Sequence, residues 1–357
     1  MNFLNENYEQ TLPKINFLER KKKILFNKTI IIGAPKVGKT YLIFDLLSNF
    51  KKQEILYIDF LDIKNRNFKL ELKPLQDFIN QNEIKVLVLE NVSFESLETI
   101  SVENIIISAT KDINIDGFSK IFLNNLDFEE YLLFDNKQLN ITSSFNTFLK
   151  YGNSPEILFI EESKKESRIQ EIINLNLQDN TDLNIYLLLL ENIDEKKSIF
   201  QLFNTLKMRI KISKDRFYER CKIFEEQRLI FFLDKFEQKN SLKKIYCYNH
   251  AFPSAINFQK KFKQEFTNMV FLELKNSYEE IYYLDYIDFY IPQIRTAVVC
   301  IPFFNEVSNT TLLKKITKTS IELNISNIEI ITVSNSNKIK NNQLKIEVFS
   351  FFEWALR

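Results

Sequence analysis

The chain has 357 residues, 45% of them hydrophobic, and its 48 Lys and Arg nearly balance 47 Asp and Glu for a formal net charge of +1. That length suggests two or three domains with a sizeable core, and the balanced charge gives no global attraction to nucleic acid or acidic lipid. Cys221, Cys247 and Cys300 lie far apart and His250 is the single histidine, which argues against a structural zinc site and for reduced core thiols; with no signal-peptide pattern and no apolar run of bilayer length, the expectation is a cytoplasmic protein with no membrane partner.

Residues 1 to 28 are polar and include the cluster Arg20-Lys21-Lys22-Lys23, which reads as a solvated helix end. Thr29-Ile30-Ile31-Ile32 is a buried strand by pattern. Next comes Gly33-Ala34-Pro35-Lys36-Val37-Gly38-Lys39-Thr40, then a helical apolar pattern starting at Tyr41. A strand, GxxxxGK[ST] and a helix form the P-loop in its required context. The chain holds only four glycines and two of them fall in this loop. Glycine lets the backbone approach a phosphate closely, and successive N–H groups form an anion nest at a helix start. Lys39 is expected to reach the β- and γ-phosphates and Thr40 to hold Mg2+, so ATP with Mg2+ is the expected ligand. Tyr41 completes the nucleotide-binding set.

Strands and helices alternate from Thr29 to about residue 136. Ile55–Ile58 is a second strand ending in Asp59, Leu75–Asn80 a helix, Val86–Leu89 a third strand, Asn104–Ile107 a fourth and Ile121–Leu123 a fifth. Continuous apolar strands between helices predict a parallel sheet covered on both faces. Ligands bind at the carboxyl ends of such strands, where Asp59, Glu90 and Ser108 fall.

P-loop ATPases usually end the third strand in Asp-Glu; here the pair is Glu90-Asn91. In register, Glu90 takes the metal-side position, acting on Mg2+ through water, and Asn91 the water-activating one. Asn91 can orient a water but cannot accept its proton. The other register makes Glu90 the catalytic acid and leaves the metal side to Leu89, which is worse. Nucleotide binding is expected and fast hydrolysis is not. Ser108 stands where a γ-phosphate sensor would sit, a role that Asn91 could share.

Residues 137 to 240 read as helical, with stripes at Ile199, Phe200, Leu202, Phe203, Leu206 and at Phe217, Cys221, Phe224, followed by a strand over Arg228–Leu233. The pattern suggests a winged-helix-like unit, and the basic run Lys207, Arg209, Lys211, Lys214, Arg216, Arg220 makes DNA a second candidate partner. From 241 to 357 strands return around a helix at Ser254–Lys275 and another at Thr311–Leu323, giving a second α/β domain; Ser334–Asn342 reads as a loop.

With these residues in view, the chain resembles prokaryotic AAA-type P-loop ATPases related to the archaeal ATPase group. That family reads GPRRVGKT at the P-loop. Its segment PLSFxEFL is matched by Asn125–Leu132, and YLxxGGxPE by Phe148–Glu156. KxYxxDxG is matched by Lys244–His250, ExxVxxEL by Glu265–Leu274, and the closing helix by Phe349–Leu356. The resemblance implies an ATPase core over 1–136, a helical and winged-helix-like region over 137–240, and a C-terminal α/β domain over 241–357 similar to PD-(D/E)xK nucleases. Glu265 and Asp288 would be that domain's acidic remnants. The ExK position falls in Ala297–Ile301, which has neither Glu nor Lys, so an inactive nuclease-like domain is implied, with Glu265 a helix-surface carboxylate. The expected function is a nucleotide-dependent switch with slow ATPase activity; the alternative is a DNA-associated protein using ATP as a structural or regulatory ligand. The resemblance also makes a homo-oligomer a candidate assembly, since such sites often borrow an arginine from a neighbouring subunit.

Overall fold

The computed structural model describes residues 2–13, 15, 18–65, 69–92, 100–135, 140–175, 177–238, 241–339 and 344–357. The chain divides into two compact units. The first runs to Asn124 and takes in Glu226–Arg228; the second comprises Asn125–Glu225 and Leu229–Arg357. The expected domain boundaries at 136/137 and 240/241 touch residues outside the described set.

The first unit contains α1 (Asn2–Glu9), β1 (Lys28–Ile32), α2 (Lys39–Leu47), β2 (Ile55–Asp59), α3 (Leu72–Gln81), β3 (Val86–Glu90), β4 (Asn104–Ala109) and β5 (Ser119–Phe122). Its strands form one sheet in the order β2-β3-β4-β1-β5, and each pairing is parallel. This is a five-stranded parallel sheet of the kind typical of P-loop NTPases. The β-branched runs in β1 and β4 are fully buried, as a sheet covered on both faces requires. Register sets the functional edge: Asp59 pairs with Glu90, Glu90 with Ser108, and Ile32 with Ala109. The basic cluster at Arg20 is not part of a helix.

The second unit begins with helices: α4 (Phe128–Phe134), α5 (Ile141–Tyr151), α6 (Pro155–Leu158), α7 (Glu162–Leu175) and α8 (Asn180–Glu191). Side chains cap several of them. Asp127 accepts from Glu130 N at 2.8 Å and Asn140 from Ser143 N at 2.8 Å, each satisfying one of the free N–H groups of a helix start. Then come β6 (Lys196–Lys197), α9 (Ile199–Lys207), α10 (Lys214–Glu226), β7 (Ile230–Leu233) and β8 (Lys243–Cys247). These three strands make an antiparallel sheet in the order β6-β8-β7.

The remainder is α11 (Phe252–Ile256), α12 (Phe262–Ser277), β9 (Tyr282–Leu284), β10 (Ile287–Ile291), β11 (Thr296–Cys300), α13 (Thr310–Glu322), β12 (Asn327–Thr332), β13 (Asn337–Ile339), β14 (Lys345–Ser350) and α14 (Phe351–Ala355). Its mixed sheet runs β13-β14-β12-β11-β10-β9, with β9, β10 and β11 antiparallel and β11, β12 and β14 parallel. The single helix expected over Ser254–Lys275 is two helices. Asn257 is extended (φ −124°, ψ 136°) and its amide donates to Pro253 O at 3.0 Å, which ends the first. Residues 337–339, expected in a loop, pair with β14.

Aromatic packing joins the two ends of this unit. Phe128 lies 5.2 Å from Phe148 and 5.6 Å from Phe351, ring centre to ring centre, while Phe145 stacks on Phe351 at 5.4 Å. Such pairs add to the area they bury. Gly152 ends α5 at φ 80°, and a Cβ there would lie 2.0 Å from Asn249 Oδ1. Asn249 is itself buried and bonded to Ser154 and to Ala251 N, so it cannot yield. Gly152→Ala is therefore expected to cost at least ~2 kcal/mol of stability, measured by chemical denaturation.

Candidate nucleotide site

The loop between β1 and α2 is shaped by two glycines. Gly33 N donates to Ala109 O at 3.2 Å, and a Cβ at Gly33 would stand 2.3 Å from Leu123 O. Only a residue without a side chain lets the chain leave β1 along this path. Gly38 caps α2 at φ 100°, ψ 20°, a left-handed conformation that side chains disfavour. Lys36 also adopts positive φ (67°). Ala34 and Val37 are buried beneath the turn.

Lys39 is buried, and its Nζ donates to Gly33 O at 2.8 Å and Ala34 O at 3.0 Å. Burial lowers its pKa to about 8, although the charge of Glu90 pulls the other way. Thr40 Oγ1 donates to Glu90, 2.9 Å from Oε1 and 3.2 Å from Oε2. The Tyr57 hydroxyl donates to Oε2, and Ser108 Oγ to Oε1 at 3.2 Å. Three hydroxyls from α2, β2 and β4 thus converge on one carboxylate that is 2% exposed. Burial still raises the Glu90 pKa, with these hydrogen bonds opposing it, and burial beside Glu90 pushes the Tyr57 phenol up.

Asn91 follows at φ 59°, a left-handed conformation that Asn tolerates better than most residues. Its Nδ2 donates to Asp59 Oδ1 at 2.7 Å, and its N–H to Ser108 Oγ at 3.3 Å. The side chain expected to face water is thus tied to the end of β2. Tyr41 is 57% exposed, so its ring is open to solvent beside the loop.

Two contributors were not foreseen. Tyr57 lies on the same strand face as Asp59, two residues earlier; a phenol inside an otherwise apolar strand, in register beside β3, was the available signal. Arg20, expected to be solvated, donates to Val37 O at 2.9 Å and Asn124 O at 3.0 Å. It braces the loop from the N-terminal segment, and no local pattern announces this.

In the second unit, the expected acidic remnants are occupied otherwise. Lys244 Nζ donates to Asp194 at 2.7 Å and Asp288 at 2.9 Å, and Asp288 Oδ2 accepts from Cys300 N at 2.9 Å. Burial works against charge here, but the Lys244 ammonium outweighs it and holds Asp288 below the usual carboxylate range. Glu265 is not a surface carboxylate. It is 5% exposed and accepts from the Ser254 hydroxyl. Among the described residues no group of three or more His, Cys, Asp or Glu is arranged to hold a metal.

Three of the six residues of the basic run are also committed. Arg209 pairs with Glu191 at 2.8 Å, Arg216 with Asp179, and buried Arg220 with Asp182, the last two at 2.5 Å. Lys207, Lys211 and Lys214 remain exposed. No helix among the described residues is long and apolar enough to cross a membrane.

No family model matches the chain. An uncharacterized protein of Methanocaldococcus jannaschii is 22% identical over 397 aligned positions, covering 94% of this chain and 89% of that protein. Among solved structures, a Walker-type ATPase of Pyrococcus abyssi is similar to 65% of this chain over 91% of its own length, at 10% identity and a TM-score of 0.44. The ORC1 protein of Aeropyrum pernix, solved in complex with DNA, covers 64% of this chain and 86% of its own, at 8% identity and a TM-score of 0.32.

An anion beside Lys39 favours its charged form and so reverses the effect of burial. With the amine lowered to about 8 by burial, a triphosphate that binds here at pH 8.5 should take up roughly three quarters of a proton per site. Uptake should vanish near pH 6.5, where the amine is already charged. Calorimetry in two buffers of different ionisation enthalpy checks this, with Lys39→Ala as the variant that shows none.

Proposed function

We propose that the chain binds a nucleoside triphosphate, ATP in the first instance, with Mg2+ at residues Gly33–Thr40, and that it hydrolyses the nucleotide slowly so that occupancy acts as a switch. The observation that carries this reading is the bond from Thr40 Oγ1 to Glu90 Oε1 at 2.9 Å. A hydroxyl from the loop and a buried carboxylate from β3 are hard oxygen donors that suit Mg2+, which keeps several waters and takes one or two carboxylates beside the phosphates. Thr40 would hold the ion directly and Glu90 through water, and the ion would supply charge neutralisation at the β- and γ-oxygens.

The loop N–H groups and the start of α2 would cradle the phosphates, and Lys39 would exchange the carbonyls of Gly33 and Ala34 for phosphate oxygens. Exposed Tyr41 is available to stack on the base. Glu90 is engaged by Thr40, Tyr57 and Ser108, which disfavours it as the water-activating base and supports slow turnover. Lys39→Ala should weaken ATP affinity on the order of tenfold to a hundredfold, as expected for a lost charge-assisted contact. Equilibrium binding with Mg2+ present measures this, and a wild-type chain without affinity for ATP, GTP or ADP would refute the reading.

A second reading is kept for one observation. The order α8-β6-α9-α10-β7-β8, with β8 central in its sheet, supports a winged-helix-like unit, and such units bind DNA with a helix in the major groove. The pairing of Arg209, Arg216 and Arg220 leaves Lys207, Lys211 and Lys214 to contact phosphate. If duplex DNA binds there, reversing Lys211 and Lys214 to Glu should weaken it and reduce the salt slope by about two. Unchanged affinity, or no binding at low salt, would retire DNA as a partner.

A further inference from the structure

The position that should hold a water-activating glutamate holds Asn91, an amide that cannot take a proton. Its orientation is nevertheless set. Asp59 Oδ1 can only accept, so the amide must turn its Nδ2 toward it, at 2.7 Å. Asp59 is fixed in turn: Oδ1 also accepts from Leu61 N at 2.9 Å, and its backbone carbonyl accepts from Asn65 Nδ2 at 2.7 Å. The Asn91 backbone is held by its N–H bond to Ser108 Oγ, and Phe60 N donates to Glu90 O at 3.1 Å. The end of the amide turned away from Asp59 is therefore Oδ1, and it has no protein partner among the described residues. Asp59, Glu90 and Ser108 stand side by side at the carboxyl edge of the sheet, where ligands of such sheets bind.

We infer that Asp59 and Asn91 together replace the missing glutamate: Asp59 is a positioning residue that fixes the Asn91 amide, and Asn91 Oδ1 accepts a hydrogen bond from the attacking water. This inference rests on the nucleotide reading above. In the step it serves, the water oxygen forms a bond to the γ-phosphorus while the bond from that phosphorus to the β–γ bridging oxygen breaks. ADP leaves with the electron pair. One water proton passes to a γ-oxygen, so dihydrogen phosphate departs and no protein base is required. The arrangement orients the water without assisting its deprotonation, which accounts for slow turnover.

The same bond explains why a glutamate at position 91 alone is a poor repair. It would bring a second carboxylate against Asp59, and like charges at that separation repel. Exchanging the two residues avoids this. In Asp59→Asn/Asn91→Asp the amide donates to the carboxylate in the reverse sense, and a carboxylate oxygen faces the water.

The test measures binding of a non-hydrolysable ATP analogue and single-turnover hydrolysis of ATP, both with Mg2+, on the full chain. Asp59→Ala removes the acceptor and frees the amide to turn over; hydrolysis should fall at least about tenfold while analogue affinity stays within about twofold. The exchanged double variant should recover at least the wild-type rate, which a role confined to stability would not produce beyond wild type. If Asp59→Ala unfolds early, Asn91→Ala carries the same readouts and should show the same fall. The inference is overturned if either single variant hydrolyses ATP at the wild-type rate, if the double variant is no faster than Asp59→Ala, or if wild type is no faster than Lys39→Ala. Loss of analogue binding in the wild type would instead remove the nucleotide reading and this inference with it.

Discussion

A single buried carboxylate organises the edge of the parallel sheet. Glu90 has almost no contact with solvent, and an ionised carboxylate in that setting is costly unless its oxygens are satisfied. Thr40, Tyr57 and Ser108 supply the bonds. Each comes from a different element, so α2, β2 and β4 are tied to β3 at the point where the chain leaves the sheet. The residual cost shows in the direction of the Glu90 pKa, which burial raises. A cation beside it would relieve that cost. Lys39 presents the mirror image: a buried amine whose pKa is lowered by burial and whose charge an anion would restore. The amine and the carboxylate of this edge are each held by local hydrogen bonds.

The second unit handles buried charge differently. Lys244 stands between Asp194 and Asp288, with the Tyr246 hydroxyl also donating to Asp194 at 2.8 Å. Here the compensating cation is part of the chain. A covalently supplied ammonium satisfies the carboxylates without a metal and leaves them unavailable to one. Breaking such a pair is far more damaging than never having built it, so the cluster pins β8 to β10 and to Asp194, two residues before β6. The sheet edge meets its buried carboxylate with hydroxyls, whereas this cluster meets its two with an ammonium.

Legibility followed the range of the interactions. The runs Thr29–Ile32, Val86–Leu89 and Asn104–Ile107 are strands because continuous β-branched and leucine residues suit a sheet buried on both faces, and each appears within a residue or two of its expected ends. The turn at residues 33–38 was readable because glycine is demanded where a Cβ would strike Leu123 O. The places of Arg20 and Arg220 were not legible because a charge run carries no local sign of burial, and only distant partners, Val37 O and Asp182, reveal it. The break between α11 and α12 was missed because a side-chain bond from Asn257 to Pro253 competes with helix continuation and leaves little trace in apolar periodicity.

By itself the sequence determined which segments form the strands of the parallel sheet, where the glycine turn lies, and that an asparagine follows Glu90. These depend on neighbours along the chain: the burial pattern, the absence of side chains at two positions, and residue identity. Tertiary structure alone decided what the polar groups at the edge do. Parallel pairing sets Asp59 beside Glu90 and Glu90 beside Ser108, and only that register turns the Asn91 amide onto Asp59 and three hydroxyls onto Glu90. Hydrogen bonds between strands are fixed by register, and register is settled by the packing of whole strands rather than by any residue in them.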